Sequence, residues 1–142
     1  MTKVLVIGDS CRDVFIYGKC IRMCPDAPVP VFVPRDRRSN GGMASNVAAN
    51  LKKLGVECDL ICNDEKVEKT RYIDEKTNHM FLRVDSNEED IQRIKILNKE
   101  LIKKYDLIVI SDYDKGFLTV EDVDFICSEH EHVFIDTKKI LG

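Results

Sequence analysis

Short apolar runs that end in an aspartate turn constrain the fold of this chain more than any other feature. Residues 3–7 are a run of valine, leucine and isoleucine behind one lysine, and this run meets Gly8-Asp9. Residues 107–110 form a second such run, which meets Ser111-Asp112. Runs that are apolar on both faces are typical of buried parallel strands. Ligands of open α/β sheets bind at the carboxyl ends of such strands, so these turns mark a candidate site.

The rest of the chain alternates between helix and strand patterns. Helices are predicted over residues 44–54, with Gly55 as the stop, over 87–104 behind a capping box at 86–89, and from the Thr119 cap to about residue 128. Further strands are predicted over 56–62 and 133–135. This order predicts an α/β fold: a Rossmann-like parallel sheet with flanking helices and right-handed crossovers.

Two pairs of β-rich segments predict a small antiparallel β lid on this sheet. Segments 13–21 and 29–33 flank a proline-rich turn at 24–28, and their prolines favour an exposed or edge strand. Segments 69–73 and 80–85 are predicted as a hairpin around residues 75–78. Residues 39–42, Ser-Asn-Gly-Gly, are predicted as a loop that leads into the first helix.

Charge and cysteine content exclude several classes of function. The net charge of −3 argues against broad binding to nucleic acid or to an anionic membrane, both of which need a basic face. No apolar run approaches the roughly 18 residues of a membrane span. No export signal is recognised, so a cytoplasmic location and reduced thiols are expected. The pairs Cys20/Cys24 and Cys58/Cys62 lack the usual zinc-knuckle spacing, and no metal site is predicted.

Two polar constellations could bind a sugar. Asp9 and Asp13 follow the first strand, where a carboxylate can accept hydrogen bonds from two hydroxyl groups, although Asp9 could equally cap its turn. Gly41 and Gly42 would let the backbone approach a ligand, and Asn46 in the following helical turn could contact a hydroxyl. The alternative is a tight turn before a helix. Neither a P-loop nor a dinucleotide-binding fingerprint occurs.

A set of basic residues could bind phosphate. Lys69, Arg71 and Arg83 lie on the predicted hairpin, and Lys115 follows Asp112. Cations at a lid and at a strand end can hold a phosphate group, although each taken singly could belong to a solvated face. The basic run at 35–38 is interpreted as a solvated loop.

Together these stretches resemble the ribokinase-like (PfkB) carbohydrate kinases, and among them the heptose 7-phosphate kinases. The ordered motifs are G-D-x-x-x-D at residues 8–13, C-P-D-A-P-V-P-V at 24–31, G-G-M-A-S-N-V-A at 41–48 and S-D-Y-D-K-G at 111–116. Weaker similarities lie at 69–71, 82–85 and 136–138. The resemblance covers nearly the whole chain, and the ordered series is more specific than any single motif.

The resemblance implies a role for each matching residue. Sugar or sugar-phosphate binding is implied for Asp13, Gly41, Gly42, Asn46, Lys69, Arg71, Arg83, Asp112 and Lys115. Asp136 and Lys138 would approach the nucleotide. Residues 1–142 would form the N-terminal, sugar-binding part of a ribokinase-like domain, with lid strands near 13–34 and 69–85. The complete kinase would use ATP and Mg²⁺, and the lid of such kinases often pairs two subunits.

The departures from the family pattern limit the expected activity. Glu65 stands where the family signature has glycine, and only residues 63–68 join two strands that the family separates by a helix and a strand. The G-A-G-D motif, which carries the catalytic base and the anion hole of the family, is absent. No catalytic residue or bound cofactor is therefore predicted for this chain alone. Expected partners are a sugar phosphate and either a second copy or a complementing C-terminal half.

Two alternatives to a half-kinase stay open. One is a non-catalytic module that binds sugar phosphate or mediates dimerisation. The other is a different α/β nucleotide enzyme such as a nucleotidyltransferase, which would need a phosphate motif of its own.

Overall fold

The computed structural model describes residues 2–140, and these residues form two four-stranded sheets. Residues 1, 141 and 142, which the predicted domain includes, lie outside the described residues. The strands are β1 (Lys3–Gly8), β2 (Ser10–Met23), β3 (Pro30–Met43), β4 (Glu57–Ile61), β5 (Glu68–Asp74), β6 (Met80–Ser86), β7 (Leu107–Asp112) and β8 (Val133–Thr137). The helices are α1 (Ala44–Lys53), α2 (Lys99–Ile102) and α3 (Val120–Glu129), with a 3₁₀ turn at Glu88–Asp90.

The first sheet is parallel, in the order β4-β1-β7-β8, and confirms the predicted α/β class. Alternate side chains of β1 serve two cores. Leu5 and Ile7 pack with the apolar residues of α3, whereas Val6 packs with Ala44 and Ala48 of α1. Because both faces of β1 are covered, its sequence is a continuous apolar run.

The helices α1 and α3 match their predicted starts. Gly55 follows α1 with a φ of +80°, a conformation that favours glycine at a helix end. Thr119 caps α3 and Asp122 completes a capping box. Arg93 binds the Asp122 carboxylate through two nitrogens, at 2.6 and 2.9 Å.

The second sheet is the lid, with the strand order β3-β2-β5-β6. Its strand directions correct the prediction of an antiparallel β lid. The pairs β2–β3 and β5–β6 are antiparallel, but β2 and β5 are parallel. The reason lies in the short connections between the two sheets: β2 follows almost directly after β1, and residues 62–67 alone separate β5 from β4. Because β1 and β4 are parallel, the strands that continue from them enter the lid in the same direction.

The predicted loop at residues 39–42 is wrong, because these residues form the end of β3. Their backbones pair with the first residues of β2, with Cys11 opposite Gly42 and Asp13 opposite Asn40. The prolines behave as expected, since β3 is an edge strand of the lid. Pro34 pairs with Gly18 at a shift in the strand register.

The predicted helix over residues 87–104 is also wrong. Only Glu88–Asp90 and Lys99–Ile102 are helical. Asn87 is left-handed with a φ of 62°, and Asn98 caps α2 instead of continuing a helix. The apolar spacing reflects burial rather than helical period, because Ile91 and Ile94 pack into the core from an irregular segment.

The edges of the parallel sheet are β4 and β8. The β8 edge is apolar, and the side chain of Phe134 is 68 % exposed. Among residues 2–140, no helix has the length and apolar character needed to cross a bilayer.

Candidate functional site

A cavity of about 340 Å³ lies where the lid meets the carboxyl ends of β7 and β8. Side chains from both sheets line it. They are Cys11, Asp13, Met43, Lys69, Arg71, Arg83, Asp85, Tyr113, Lys115 and Lys138. Five of these are basic and two are acidic, so the cavity carries an excess of positive charge.

Asp13 and Arg71 form a partly buried ion pair at the lid side of the cavity. The Arg71 Nη1 donates to Asp13 Oδ1 at 2.7 Å, and both side chains are about one-fifth exposed, at 22 % and 21 %. The second carboxylate oxygen of Asp13 faces Gly42, where an added Cβ would lie only 2.4 Å from it. Gly42 therefore gives Asp13 the space to hold its orientation.

Each lid cation beside this pair contacts a carboxylate. Lys69 Nζ lies 2.7 Å from Glu88 Oε1 and 3.8 Å from an Asp85 oxygen. The guanidinium of Arg83 binds Asp85 through two nitrogens, each at 2.7 Å. The hydrogen bond from Lys69 lowers the pKa of Glu88, and the hydrogen bond from Arg83 lowers the pKa of Asp85. These carboxylates therefore remain ionised well into the acid range.

Lys115 and Lys138 add positive charge from the parallel sheet. Lys115 lies 3.1 Å from Glu88 Oε2. Lys138 Nζ lies over the ring of Tyr113, 4.8 Å from its centroid. Among the described residues, Lys138 has no carboxylate partner within ion-pair distance, so its charge is free to meet an anion in the cavity.

The structure assigns Asp9 to turn capping rather than to ligand binding. Asp9 is fully buried, and its carboxylate accepts hydrogen bonds from the backbone N–H groups of Tyr113, at 2.7 Å, and Phe117, at 3.3 Å. Burial raises the pKa of Asp9. Of the two interpretations of Asp9, the structure favours the turn cap.

Asp112 is not among the residues that line the cavity. Its side chain is fully buried, and it accepts bonds from Lys139 Nζ at 2.8 and 2.9 Å and from Thr137 Oγ1 at 2.6 Å. Burial opposes its ionisation, yet the bonds from Lys139 and Thr137 lower its pKa. In this conformation Asp112 holds the segment after β8 and offers no free oxygen to a ligand.

Four further predicted residues do not line the cavity: Gly42, which lies beside the Asp13 carboxylate, and Gly41, Asn46 and Asp136. Asn46 is exposed on α1, and Asp136 is exposed at the end of β8. Gly41 lines a different cavity, of about 580 Å³, together with Arg12. Successive side chains of a strand point to opposite faces, so Arg12 and Asp13 of β2 serve different cavities.

The surroundings of Asp136 and Lys138, which are predicted to approach a nucleotide, differ. Lys138 lines the cavity together with the lid cations, whereas Asp136 is exposed and is not among the lining residues. Within residues 2–140 these two residues do not line one cavity, and their approach to a nucleotide stays a prediction. Residues 2–140 contain no group of three or more His, Cys, Asp or Glu that could hold a metal ion.

Sequence reasoning missed Asp85, Glu88 and Lys139 as parts of this region. Asp85 carried a signal, because it lies two positions from Arg83 on a strand and thus on the same face. Lys139 follows directly after the 136–138 similarity. Glu88 carried no signal in the sequence, because its contacts join three segments that are distant in sequence.

The chain matches curated proteins over almost its full length. It is 32 % identical to the bifunctional protein HldE of Nitratiruptor sp. over 170 residues, which cover 96 % of this chain and 36 % of that protein. It is 30 % identical to the bifunctional protein HldE of Helicobacter pylori strain J99, covering 97 % of this chain and 38 % of that protein. The chain thus spans just over a third of the length of these relatives.

The alignment with the Nitratiruptor protein is longer than this chain. It extends over 170 residues, more than the 142 of this chain, so part of the relative has no counterpart here. In the structure, the six residues 62–67 join β4 of the parallel sheet to β5 of the lid. None of the models of protein families matches the chain.

Solved structures show the same fold. Arabidopsis thaliana ribokinase, complexed with ribose and ATP, aligns with a TM-score of 0.58 at 10 % identity over 98 % of this chain and 54 % of that one. Escherichia coli phosphofructokinase-2, in complex with potassium, aligns with a TM-score of 0.59 at 11 % identity over 98 % and 55 %. With its sheet order, its lid and these solved structures, the chain has the fold of the ribokinase-like (PfkB) carbohydrate kinases, and it is similar in sequence to just over a third of the HldE proteins.

Proposed function

We propose that this chain is the sugar-binding part of a carbohydrate kinase whose acceptor is itself a phosphorylated sugar. The observation that carries the proposal is the cavity between lid and parallel sheet, which Asp13 lines together with five basic side chains. A carboxylate can accept hydrogen bonds from sugar hydroxyls, and Arg and Lys bind phosphate oxygens. The volume of about 340 Å³ is in the range of small-molecule sites.

Heptose 7-phosphate is the acceptor that we propose. Its support is the similarity of residues 24–31 and 111–116 to the heptose kinases, together with HldE relatives at about 30 % identity. The phosphoryl donor of the complete kinase would be ATP with Mg²⁺, and a solved neighbour binds ribose and ATP. All six cysteines are unpaired, which suits the reducing cytoplasm as the compartment.

We expect the 142-residue chain to bind the acceptor without transferring phosphate. Phosphoryl transfer needs a base for the acceptor hydroxyl and stabilisation of the transferred group. The cavity offers ion-paired carboxylates and cations, with no unpaired base beside Asp13 among the described residues. Calorimetry with heptose 7-phosphate should give binding, and titration with a non-hydrolysable ATP analogue and Mg²⁺ should give none.

The same titrations decide against the proposal if they come out otherwise. Binding of the nucleotide analogue alone would mean that the acceptor site has been misplaced. Turnover of ATP that disappears in Asp13→Ala would contradict the expected inactivity. The control is Glu57→Gln, an exposed residue on β4 at the sheet edge far from the lid, which should bind heptose 7-phosphate as the unmodified chain does.

A second candidate function is a non-catalytic dimerisation module, and the lid surface favours it. The rings of Phe32, Tyr72 and Phe81 form an aromatic cluster, with centroid distances of 5.4 and 6.0 Å. Around them lies a largely apolar cavity of about 490 Å³, and Leu82 at its rim is 56 % exposed. We propose that the lids of two copies pair through this surface.

The oligomeric state distinguishes the lid surface from the β8 edge. If two lids pair, Leu82→Asp should yield a monomer in sedimentation velocity, because a charge on an apolar interface is costly. Phe134→Asp, on the β8 edge, should leave the dimer intact. The reverse result would assign the contact to the β8 edge, where a complementing half would dock, and a monomeric unmodified chain would reject lid pairing.

A further inference from the structure

Glu88 holds two cavity lysines from outside the cavity. One carboxylate oxygen lies 2.7 Å from Lys69 Nζ and the other 3.1 Å from Lys115 Nζ, and both lysines line the cavity whereas Glu88 does not. We propose that Glu88 is a positioning residue that orients Lys69 and Lys115 toward the phosphate group of the ligand. This inference rests on the proposed function and extends it to a residue that no motif marks.

The three residues come from segments that are separate in the fold. Lys69 lies on β5 of the lid, Lys115 in the turn after β7 of the parallel sheet, and Glu88 in the 3₁₀ turn after β6. The Glu88 contacts therefore tie the lid to the turn after β7. Lysine side chains are long and flexible, so an ammonium without such a partner would lose its fixed position.

The backbone before Glu88 is itself held in place. Asn87 adopts the left-handed conformation, with a φ of 62°, which asparagine tolerates better than most residues. Its Nδ2 donates to the carbonyl oxygen of Lys66 at 3.0 Å. The turn is thus attached to the connection between the two sheets, and the carboxylate of Glu88 projects from a fixed point.

The hydrogen-bonding capacity of the lysines leaves room for a ligand. An ammonium group has three N–H donors, and Glu88 accepts one hydrogen bond from Lys69 and forms an ion pair with Lys115. Lys69 also lies 3.8 Å from Asp85, beyond hydrogen-bond distance. Each lysine therefore keeps donors for phosphate oxygens. The competing interpretation is that Glu88 occupies the place of the ligand's anion and must be displaced, and the two interpretations predict opposite effects of substitution.

Two substitutions separate position from charge. Glu88→Asp keeps the negative charge but is one methylene shorter, so one carboxylate no longer spans both lysines. Glu88→Gln keeps the length but offers a single acceptor oxygen. We expect both variants to bind heptose 7-phosphate about tenfold more weakly, the lower end of what removing an orienting partner costs at metal sites. Glu89→Gln, next in the chain and exposed, is the matched control.

Binding is measured by calorimetry with heptose 7-phosphate, the unphosphorylated heptose and inorganic phosphate. A positioning role requires that Glu88→Asp weakens the phosphate-bearing ligands and leaves the affinity for the unphosphorylated heptose unchanged. An equal loss for all ligands would indicate a merely structural role and overturn the proposal. Tighter binding of phosphate by Glu88→Gln would also overturn it, in favour of the competing interpretation.

A readout without ligand separates this inference from the proposed function. Amide hydrogen exchange of residues 113–117 should be faster in Glu88→Asp than in the unmodified chain, and unchanged in Glu89→Gln. If the unmodified chain binds phosphate but not heptose 7-phosphate, the proposed acceptor fails and the Glu88 variants are still judged with phosphate. If it binds neither, unchanged exchange in Glu88→Asp overturns the positioning role.

Discussion

Replacing Gly8 by alanine is expected to lower the free energy of unfolding by about 3 kcal/mol or more, as severe overpacking in a core does. Gly8 ends β1 and lies opposite Ser111 of β7. A Cβ on Gly8 would lie 1.7 Å from the carbonyl oxygen of Ser111 and 2.6 Å from its carbonyl carbon. Both are backbone atoms, so no side chain can rotate away and the two central strands would have to separate.

Urea unfolding of the unmodified chain and of Gly8→Ala measures this loss of unfolding free energy, and Gly55→Ala is the comparison variant. Gly55 has a φ of +80°, but a Cβ there would meet no atom within 4 Å. Its substitution should cost only the backbone preference, about 1 kcal/mol. Equal losses for Gly8→Ala and Gly55→Ala would show that β1 and β7 can move apart at little cost.

The same close approach serves the candidate site. Gly8 and Ser111 bring β1 and β7 close together. Asp9, which follows Gly8, therefore accepts hydrogen bonds from the backbone N–H groups of Tyr113 and Phe117. The turn after β7 also contains Lys115 and Tyr113, and the Tyr113 ring lies beneath the Lys138 ammonium group. A change at Gly8 is therefore expected to disturb ligand binding as well as stability.

The fold was predictable where side-chain pattern and local chemistry agree. The apolar runs of β1 and β7 predict buried parallel strands because a strand covered on both faces needs no polar side. Gly55 and Thr119 mark helix ends through conformations or hydrogen bonds that their own residue types favour. The hairpin cations Lys69, Arg71 and Arg83 were placed on the lid by the same local logic and line one cavity.

Prediction failed where long-range contacts decide the outcome. Residues 39–42 have the composition of a loop, yet pairing with β2 extends them into β3. Ile91, Ile94 and Leu97 have helical spacing, but each packs on the core from an irregular segment. The ion pairs of Glu88 with Lys69 and Lys115 join segments that are separate in sequence, and no local sequence pattern predicts such contacts.

Replacing Gly42 by alanine is expected to weaken binding of heptose 7-phosphate about 100-fold, the loss of a strong charge-assisted contact, while the fold persists. The new Cβ would lie 2.4 Å from Asp13 Oδ2 and 2.6 Å from Cys11 Sγ. The ends of these two side chains can move, so the overpacking is partly relieved. We expect this movement to turn the Asp13 carboxylate away from Arg71 and from the hydroxyl groups of the ligand.

Whether the loss acts through Asp13 is decided by a double-mutant cycle. Gly42→Ala, Asp13→Ala and the double variant are titrated with heptose 7-phosphate, and circular dichroism and a thermal melt confirm that each is folded. If Gly42 acts only by giving Asp13 its space, the double variant should bind no more weakly than Asp13→Ala alone. Additive losses would mean that Gly42 contacts the ligand itself through its backbone. Unchanged affinity in Gly42→Ala would remove the orientation of Asp13 as a requirement for binding, and with it the central place of Asp13 in the proposed site.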